Sequence, residues 1–224
     1  MSKDYYKYKF ENTSTIPRRS NSQGIPINTS FSYDYVKYQS MRRSPSASSQ
    51  PLFLVIDLDH TLIYSSNKPF EMSDFVFTVS DSDNVETFYI LKRPQLDLFL
   101  SLLIKFSTIY LYTTARRDYT TQILHNIDPM GKYFKRVFCR EDCIMEGDNN
   151  FIKDISICNT DLRRTVIIDN NPNAYGTKEK HPNLLPISPF LGSSKDKELT
   201  KILHILKDYT YVDDVRTFIG QDNQ

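Results

Sequence analysis

The ten residues LFLVIDLDHT at 52–61 decide how this chain folds. The five consecutive apolar residues at 52–56 are typical of a strand that is buried on both faces of a parallel sheet. Asp57 and Asp59 follow at once. Because side chains two residues apart in an extended chain point the same way, both carboxylates are predicted to face one site beyond the strand tip.

Strands and helices alternate along most of the chain after residue 52. Further buried strands are predicted at 108–112 and 165–168, with a shorter one at 136–138. Apolar residues at helical spacing predict helices at 96–106, 118–126 and 198–207. This alternation predicts an α/β fold with a central parallel sheet flanked by helices.

The segment at 74–91 has a different pattern. Apolar residues alternate with polar ones on either side of a turn at 81–84, and this arrangement predicts a β-hairpin. The hairpin is inserted after the first strand. It is therefore expected to lie over the carboxyl ends of the sheet, where open α/β folds bind their ligands.

The composition divides the chain into three parts. Residues 1–50 are rich in Ser, Tyr, Asn and basic residues and lack a sustained apolar period, so a disordered basic arm is predicted there. One folded domain is predicted at 51–220, followed by a short tail at 221–224.

Charge and cysteine content exclude several classes of protein. With 28 Lys and Arg against 27 Asp and Glu, the chain is nearly neutral, so direct binding to nucleic acid is not expected. No apolar run approaches the roughly 20 residues that span a bilayer. Cys139 and Cys143 are spaced like half of a zinc site, but no second pair follows. Three cysteines and no secretory signal predict a soluble intracellular protein of the nucleus or cytoplasm, of unknown oligomeric state.

Polar residues follow each of the three long buried strands. After the first, Asp57 is suited to attack phosphorus, and Asp59 is suited to protonate the leaving oxygen and then activate water. After the second, the hydroxyl and N–H groups of Thr113 and Thr114 can hold phosphate oxygens. These residue types predict a phosphoryl-transfer site.

A cation site is predicted at the same edge of the sheet. Asp169 and Asn170 follow the third strand, and their oxygens would complete a site for a hard cation such as Mg²⁺. Lys153 supplies positive charge for the transferring phosphoryl oxygens. Each feature alone has an ordinary explanation as a turn, a helix cap or a surface lysine, but their shared position after strands of one sheet favours catalysis.

Several motifs in the same order resemble the haloacid dehalogenase superfamily, and specifically the small phosphatases that act on the repeated tail of RNA polymerase II. Residues 57–61 resemble the DxDxT nucleophile motif, and 91–94 resemble the LKRP stretch. Further matching segments lie at 140–143, 153–156, 169–172 and 212–215. The resemblance implies a Rossmann-like haloacid dehalogenase fold with a small β-hairpin insertion after the first strand.

The resemblance also implies roles for individual residues. Asp57 would be the nucleophile and Asp59 the general acid/base, with phosphate gripped by Thr113, Thr114 and Lys153. The implied activity is that of a protein serine/threonine phosphatase acting through an aspartyl phosphate. Its substrate would be a phosphoserine or phosphothreonine protein, with the polymerase tail as one candidate.

The implied cofactor is Mg²⁺. It would be held by the Asp57 carboxylate, the Asp59 backbone carbonyl and the Asn170 side chain. Asp169 would support these three ligands. His60 stands where close relatives have Glu. That position is not among the essential groups.

A substrate pocket is also implied, and here the sequence departs from the family. The matching positions are Asn67, Val79, Asp81, Phe88, Arg116 and Tyr119. Three of them, Asn67, Asp81 and Arg116, are polar where the family is apolar, which predicts a weaker demand for a substrate proline. Arg140 is expected to lie beside the substrate groove.

Two alternatives remain open. One is a catalytically silent phosphopeptide-binding or scaffold module of the same fold. The other is a small-molecule phosphatase, which usually has a larger cap domain than the hairpin at 74–91 offers. An open site favours a peptide substrate.

Overall fold

The computed structural model describes residues 49–81, 84–147, 150–158, 160–176 and 181–219. Its strands in chain order are β1 (Leu52–Ile56), β2 (Ile63–Ser66), β3 (Phe75–Asp81), β4 (Asn84–Lys92), β5 (Ser107–Tyr112), β6 (Phe134–Phe138), β7 (Ile144–Met145), β8 (Phe151–Ile152), β9 (Thr165–Asp169) and β10 (Leu184–Pro186). Its helices are α1 (Leu96–Leu103), α2 (Arg117–Ile127), α3 (Glu198–Tyr209) and α4 (Arg216–Ile219).

A five-stranded parallel sheet forms the centre, with the order β10-β9-β1-β5-β6. β1 lies in the middle, where Leu54 and Ile56 are fully buried. Burying one such side chain stabilises the fold by about 1.5–3 kcal/mol. Ile56 pairs with Leu111 of β5 on one side and with Ile168 of β9 on the other. The residues that follow these three strands therefore lie together at one edge, as the sequence predicts.

The segment inserted after β1 is larger than the predicted hairpin. β3 and β4 pair antiparallel as expected, but β2 also pairs with β4, which gives a three-stranded sheet of order β2-β4-β3. Residues 63–66 read Ile-Tyr-Ser-Ser and lack the apolar alternation that predicts a strand. Pairing with β4, rather than local preference, makes this segment extended.

The helices lie close to their predicted positions. α1 ends at Leu103, three residues before the predicted end, because the chain turns there to enter β5. Its buried face includes Phe99 and Leu100, and α1 packs against α3. The short strands β7, β8 and β10 were not predicted. None of the described helices is long and apolar enough to cross a membrane.

The predicted arm at 1–50 lies almost wholly outside the described residues, as does the tail at 221–224. The domain limits of 51 and 220 therefore stay predictions.

A buried arginine links the 57–61 motif to the segment before α3. Arg93, in the LKRP stretch, is 1% exposed. Its Nε and Nη2 donate to the two carboxylate oxygens of Asp196 at 2.8 and 2.9 Å. Its Nη1 donates to the Thr61 carbonyl at 3.0 Å, and its Nη2 donates to the Ser188 carbonyl at 2.7 Å. Arg93 thus holds the last residue of the 57–61 motif, Thr61, against the segment at 188–196.

Replacing Arg93 with Met is expected to destabilise the protein by about 3–5 kcal/mol, because it leaves a partly buried carboxylate and two carbonyls without their donor. The matched control is Lys92→Met. Lys92 makes an exposed ion pair with Asp97 at 3.1 Å, so its loss should cost no more than about 1 kcal/mol. Urea unfolding measures both variants. Equal, small losses would show that Arg93 does not hold the motif.

Candidate active site

Asp57 lies at the tip of β1, where the sheet itself sets its position. Its N–H continues the strand ladder by donating to the Ile168 carbonyl of β9 at 3.0 Å. The residue is 7% exposed, and Oδ1 accepts a hydrogen bond from Lys153 Nζ at 2.7 Å. Burial raises the pKa of Asp57 to about 7, with Lys153 opposing the rise and Asp169 adding to it. The fold therefore holds a partly desolvated carboxylate beside one cation.

Lys153 bridges two carboxylates. It is 3% exposed, and its Nζ also donates to Asp169 Oδ2 at 2.6 Å. Burial lowers the pKa of Lys153, but attraction to Asp57 and Asp169 outweighs burial, so the net shift is upward. Lys153 stays charged. The surface-lysine explanation is therefore wrong, and the cation lies where the sequence predicts it.

Asp59 accepts a hydrogen bond from a tyrosine. Tyr119, in the first turns of α2, donates its hydroxyl to Asp59 Oδ1 at 2.6 Å. Burial raises the pKa of Asp59, and the Tyr119 hydrogen bond opposes that rise. A raised pKa favours the protonated acid that a departing oxygen needs. Tyr119 was expected at the substrate wall, but its contact with Asp59 was not predicted.

His60 provides the turn between Asp59 and Thr61. Its φ is 59°, a left-handed conformation that histidine adopts more readily than most non-glycine residues. Its N–H donates to the Ile63 carbonyl at 2.8 Å, which closes the turn into β2.

Asp169 is the last residue of β9 and Asn170 follows it, beside Asp57. Asp169 is 1% exposed, and its Oδ1 accepts from the Asn171 N–H at 2.8 Å. Its Oδ2 accepts from the Tyr175 hydroxyl at 2.8 Å, in addition to Lys153. The Asn170 Oδ1 accepts from the Thr61 hydroxyl at 3.2 Å, a contact that explains the Thr of the motif.

The donor chemistry fits a hard cation. In the described ranges, no group of three or more His, Cys, Asp or Glu side chains is arranged to hold a metal ion. A cation here would instead combine the Asp57 carboxylate with amide and carbonyl oxygens, which are ligands that Mg²⁺ accepts.

Thr113 and Thr114 follow β5, next to β1. Thr113 is 1% exposed, and its Oγ1 accepts from the Ala115 N–H at 3.1 Å, which shapes the turn into α2. The Thr114 carbonyl accepts from Arg140 Nε at 2.8 Å. The Arg140 guanidinium lies 4.8 Å from the centre of the Phe151 ring. Arg140 is exposed, and its contacts with Thr114 and Phe151 hold its guanidinium beside Thr114, a predicted phosphate-binding residue.

Two residues of the predicted substrate wall, Phe88 and Tyr119, lie side by side in the structure. The Phe88 and Tyr119 ring centres lie 4.9 Å apart, and Phe77 lies 5.6 Å from each of them. Val79 pairs with Glu86 across the β3–β4 ladder and is buried. Asn67 is exposed just beyond β2. Asp81 ends β3, but its side chain lies outside what is described.

Arg116 is already paired within the protein. Its Nε lies 3.3 Å from Asp118 and its Nη2 lies 3.7 Å from Glu86, while its side chain is 35% exposed. It therefore links β4 to the start of α2 instead of standing free for a substrate.

A family model described as NLI interacting factor-like phosphatase matches residues 52–216. The human carboxy-terminal domain RNA polymerase II polypeptide A small phosphatase 1 is 34% identical over 174 residues, which cover 77% of this chain and 65% of that protein. The chain thus spans less than two thirds of the human relative. CTD nuclear envelope phosphatase 1 of Xenopus tropicalis is 28% identical over 210 residues, which cover 88% of this chain and 84% of that protein.

A solved structure shows the same fold. It is a fission yeast RNA polymerase II CTD phosphatase, Fcp1, bound to beryllium fluoride. The TM-score is 0.52 at 21% identity, covering 86% of this chain and 58% of the other. This likeness and the parallel sheet confirm the predicted Rossmann-like haloacid dehalogenase fold.

Proposed function

This chain belongs to the NLI interacting factor-like phosphatase family, and we propose that it is a magnesium-dependent protein serine/threonine phosphatase that forms an aspartyl phosphate on Asp57. The observation that carries the proposal is the buried Asp57 carboxylate, 2.7 Å from the Lys153 ammonium. Asp59 follows two residues later, and Tyr119 holds its carboxyl group. A nucleophile, a cation and an acid are thus available together.

The proposed magnesium ion would be held by the Asp57 carboxylate, the Asp59 backbone carbonyl and the Asn170 side chain. When bound, magnesium neutralises charge on the phosphoryl group and helps to orient it. Asp57 and Asp169 share a single ammonium, Lys153, so the charge balance of the site also favours a further cation.

In the first step, an Asp57 carboxylate oxygen forms a bond to phosphorus as the bond to the leaving oxygen breaks. Protonated Asp59 gives its proton to that leaving oxygen, while the Tyr119 hydroxyl keeps the Asp59 carboxyl in place. The ammonium of Lys153 faces the Asp57 oxygen, where it attracts the transferring phosphoryl oxygens.

In the second step, ionised Asp59 takes a proton from water, and the water oxygen attacks phosphorus. The bond between phosphorus and Asp57 breaks, inorganic phosphate leaves, and Asp59 is protonated again. One carboxyl group therefore acts first as an acid and then as a base.

The proposed substrate is a phosphoserine or phosphothreonine segment of a protein. Within the described ranges, the insertion after β1 is a three-stranded sheet rather than a larger cap domain, which suits a peptide. The RNA polymerase II tail is a candidate because the human relative is named for that tail. We place the activity in the nucleus or cytoplasm, since all three cysteines are free.

The test uses the purified chain with an aryl phosphate and with a phosphopeptide library that includes polymerase-tail repeats. Phosphate release is expected with Mg²⁺ and is expected to stop when EDTA is added. Phosphopeptide binding without phosphate release in Mg²⁺ would instead identify the catalytically silent module.

Arg116 is expected to contribute modestly to peptide choice. An acidic peptide residue has to compete with Asp118 and Glu86 for the guanidinium, and exposed ion pairs contribute only about 0.2–1 kcal/mol. Arg116→Leu should therefore lower kcat/KM for acidic phosphopeptides by up to about fivefold at low salt, and by less at high salt. It should also improve use of proline-bearing peptides.

The matched control is Arg163→Leu. Arg163 makes a similar exposed pair with Asp161, next to the start of β9 and away from the carboxyl ends of the strands. Its loss should leave peptide preference unchanged. Unchanged selectivity of Arg116→Leu at both salt concentrations would remove Arg116 from the recognition surface.

A further inference from the structure

Tyr175 touches the group that holds the active-site lysine. It ends the short 3-10 turn Pro172–Tyr175, directly after the Asp169-Asn170-Asn171 segment, and is 6% exposed. Its hydroxyl donates to Asp169 Oδ2 at 2.8 Å, the same oxygen that accepts from Lys153 at 2.6 Å. Nothing in the sequence pattern singles out this tyrosine.

The position of the Lys153 ammonium depends on how firmly Asp169 is held. Lys153 has two carboxylate partners, Asp57 at 2.7 Å and Asp169 at 2.6 Å. If Asp169 could rotate, the ammonium would move with it. The Asn171 N–H fixes Oδ1 of Asp169 and the Tyr175 hydroxyl fixes Oδ2, so the carboxylate is held at both oxygens.

The backbone of the same turn also holds Lys153. The Lys153 N–H donates to the Ala174 carbonyl at 2.7 Å. Gly176 follows the turn with a φ of 64°, and a Cβ added there would lie 2.9 Å from the Ile152 side chain. Close packing against β8 therefore fixes the turn relative to Lys153.

We propose that Tyr175 is a positioning residue for Lys153. By holding Asp169, its hydroxyl keeps the ammonium within hydrogen-bonding distance of Asp57 and of the phosphoryl group being transferred. The inference rests on the proposed function, in which Asp57 is the nucleophile. It assigns to Tyr175 a role beyond filling the core.

The test variant is Tyr175→Phe, which removes the hydroxyl and keeps the ring. A hydrogen bond to a buried charged group typically contributes about 10- to 100-fold to a rate or a binding constant. We expect kcat for an aryl phosphate to fall within that range and the affinity for inorganic phosphate, measured by calorimetry, to fall about tenfold. The control is Tyr110→Phe, another buried tyrosine, on β5. It should retain wild-type kinetics and phosphate affinity.

A double-mutant cycle separates positioning from packing. In a Lys153→Met background, Tyr175→Phe should cause no further loss of phosphate affinity, because the group it positions is gone. Wild-type values for Tyr175→Phe, or its full loss repeated in the Lys153→Met background, would overturn the inference. If Tyr175→Phe fails to fold, Tyr175→Met, which also lacks a hydrogen-bond donor to Asp169, takes its place in the cycle.

The inference and the proposed function fail differently. If wild type neither hydrolyses aryl phosphate nor binds phosphate, the proposed function fails and the inference falls with it. If wild type does both and Tyr175→Phe matches it, only the role of Tyr175 is lost.

Discussion

Asp57→Asn is expected to lower turnover of an aryl phosphate by roughly 10⁴- to 10⁶-fold, the size of loss that follows removal of a nucleophile. The amide keeps the shape of the side chain but cannot form the bond to phosphorus. Lys153 retains Asp169 as a partner at 2.6 Å, so its charge is not left alone in the core. The loss should therefore be chemical, with the fold preserved.

Stability gives an independent check of the same variant. The folded-state pKa of Asp57 is raised from 3.8 to about 7, so the contribution of Asp57 to stability falls as pH rises through that interval. Above pH 7 the ionised carboxylate opposes folding in full, and the amide avoids that cost. Asp57→Asn should thus melt no lower than wild type at pH 8 without magnesium. The control is Asp97→Asn, the same change at an exposed position. It should alter neither the turnover of an aryl phosphate nor the melting temperature at pH 8.

Substantial turnover by a folded Asp57→Asn protein would contradict the covalent mechanism. A lower melting temperature than wild type at pH 8 would contradict the account of its burial.

Asp59→Asn is expected to slow phosphorylation of Asp57 by phosphoserine peptides about 10²- to 10⁴-fold, the usual contribution of a general acid. The serine oxygen leaves poorly unless it is protonated. An aryl oxygen leaves as a stable anion, so single-turnover phosphorylation by an aryl phosphate should be affected much less.

Tyr119→Phe is the matched control, because it keeps the Asp59 carboxyl and removes only the 2.6 Å hydrogen bond. Its effect should be smaller than that of Asp59→Asn and should also be larger with phosphoserine. Equal losses on both substrates in Asp59→Asn would argue against Asp59 as the acid.

The sequence predicted the main strands and the polar residues that follow them better than it predicted the contacts between those residues. β1 and the residues after it could be predicted because a buried apolar run ending in two aspartates is a local signal. Lys153 was also found, although the sequence could not show that one ammonium bridges Asp57 and Asp169. Lys153 lies 96 positions after Asp57 and 16 positions before Asp169 in the chain, and only the folded sheet brings the three side chains together.

Other features had no local signal. β2 is extended because it pairs with β4, and its Ile-Tyr-Ser-Ser sequence does not predict a strand. Arg116 is predicted at the substrate wall, but the sequence could not show that the β3–β4 ladder brings Glu86 close enough to pair with it. Tyr175 reaches Asp169 only because a 3-10 turn follows β9. All three features depend on contacts between segments that are distant in the sequence or joined by a turn. Neither hydrophobic periodicity nor secondary-structure propensity therefore predicts them.

The most direct test of the covalent mechanism uses Asp59→Asn with an aryl phosphate in Mg²⁺. Phosphorylation of Asp57 needs little help from the acid with this leaving group, but hydrolysis of the aspartyl phosphate needs Asp59 as base. One equivalent of aryl alcohol should therefore be released in a burst. Borohydride reduction should then convert residue 57, and no other, to homoserine, and peptide mapping would identify the converted residue. Steady phosphate release with residue 57 unmodified, or a phosphoryl group trapped on another residue, would contradict the assignment of Asp57 as the nucleophile.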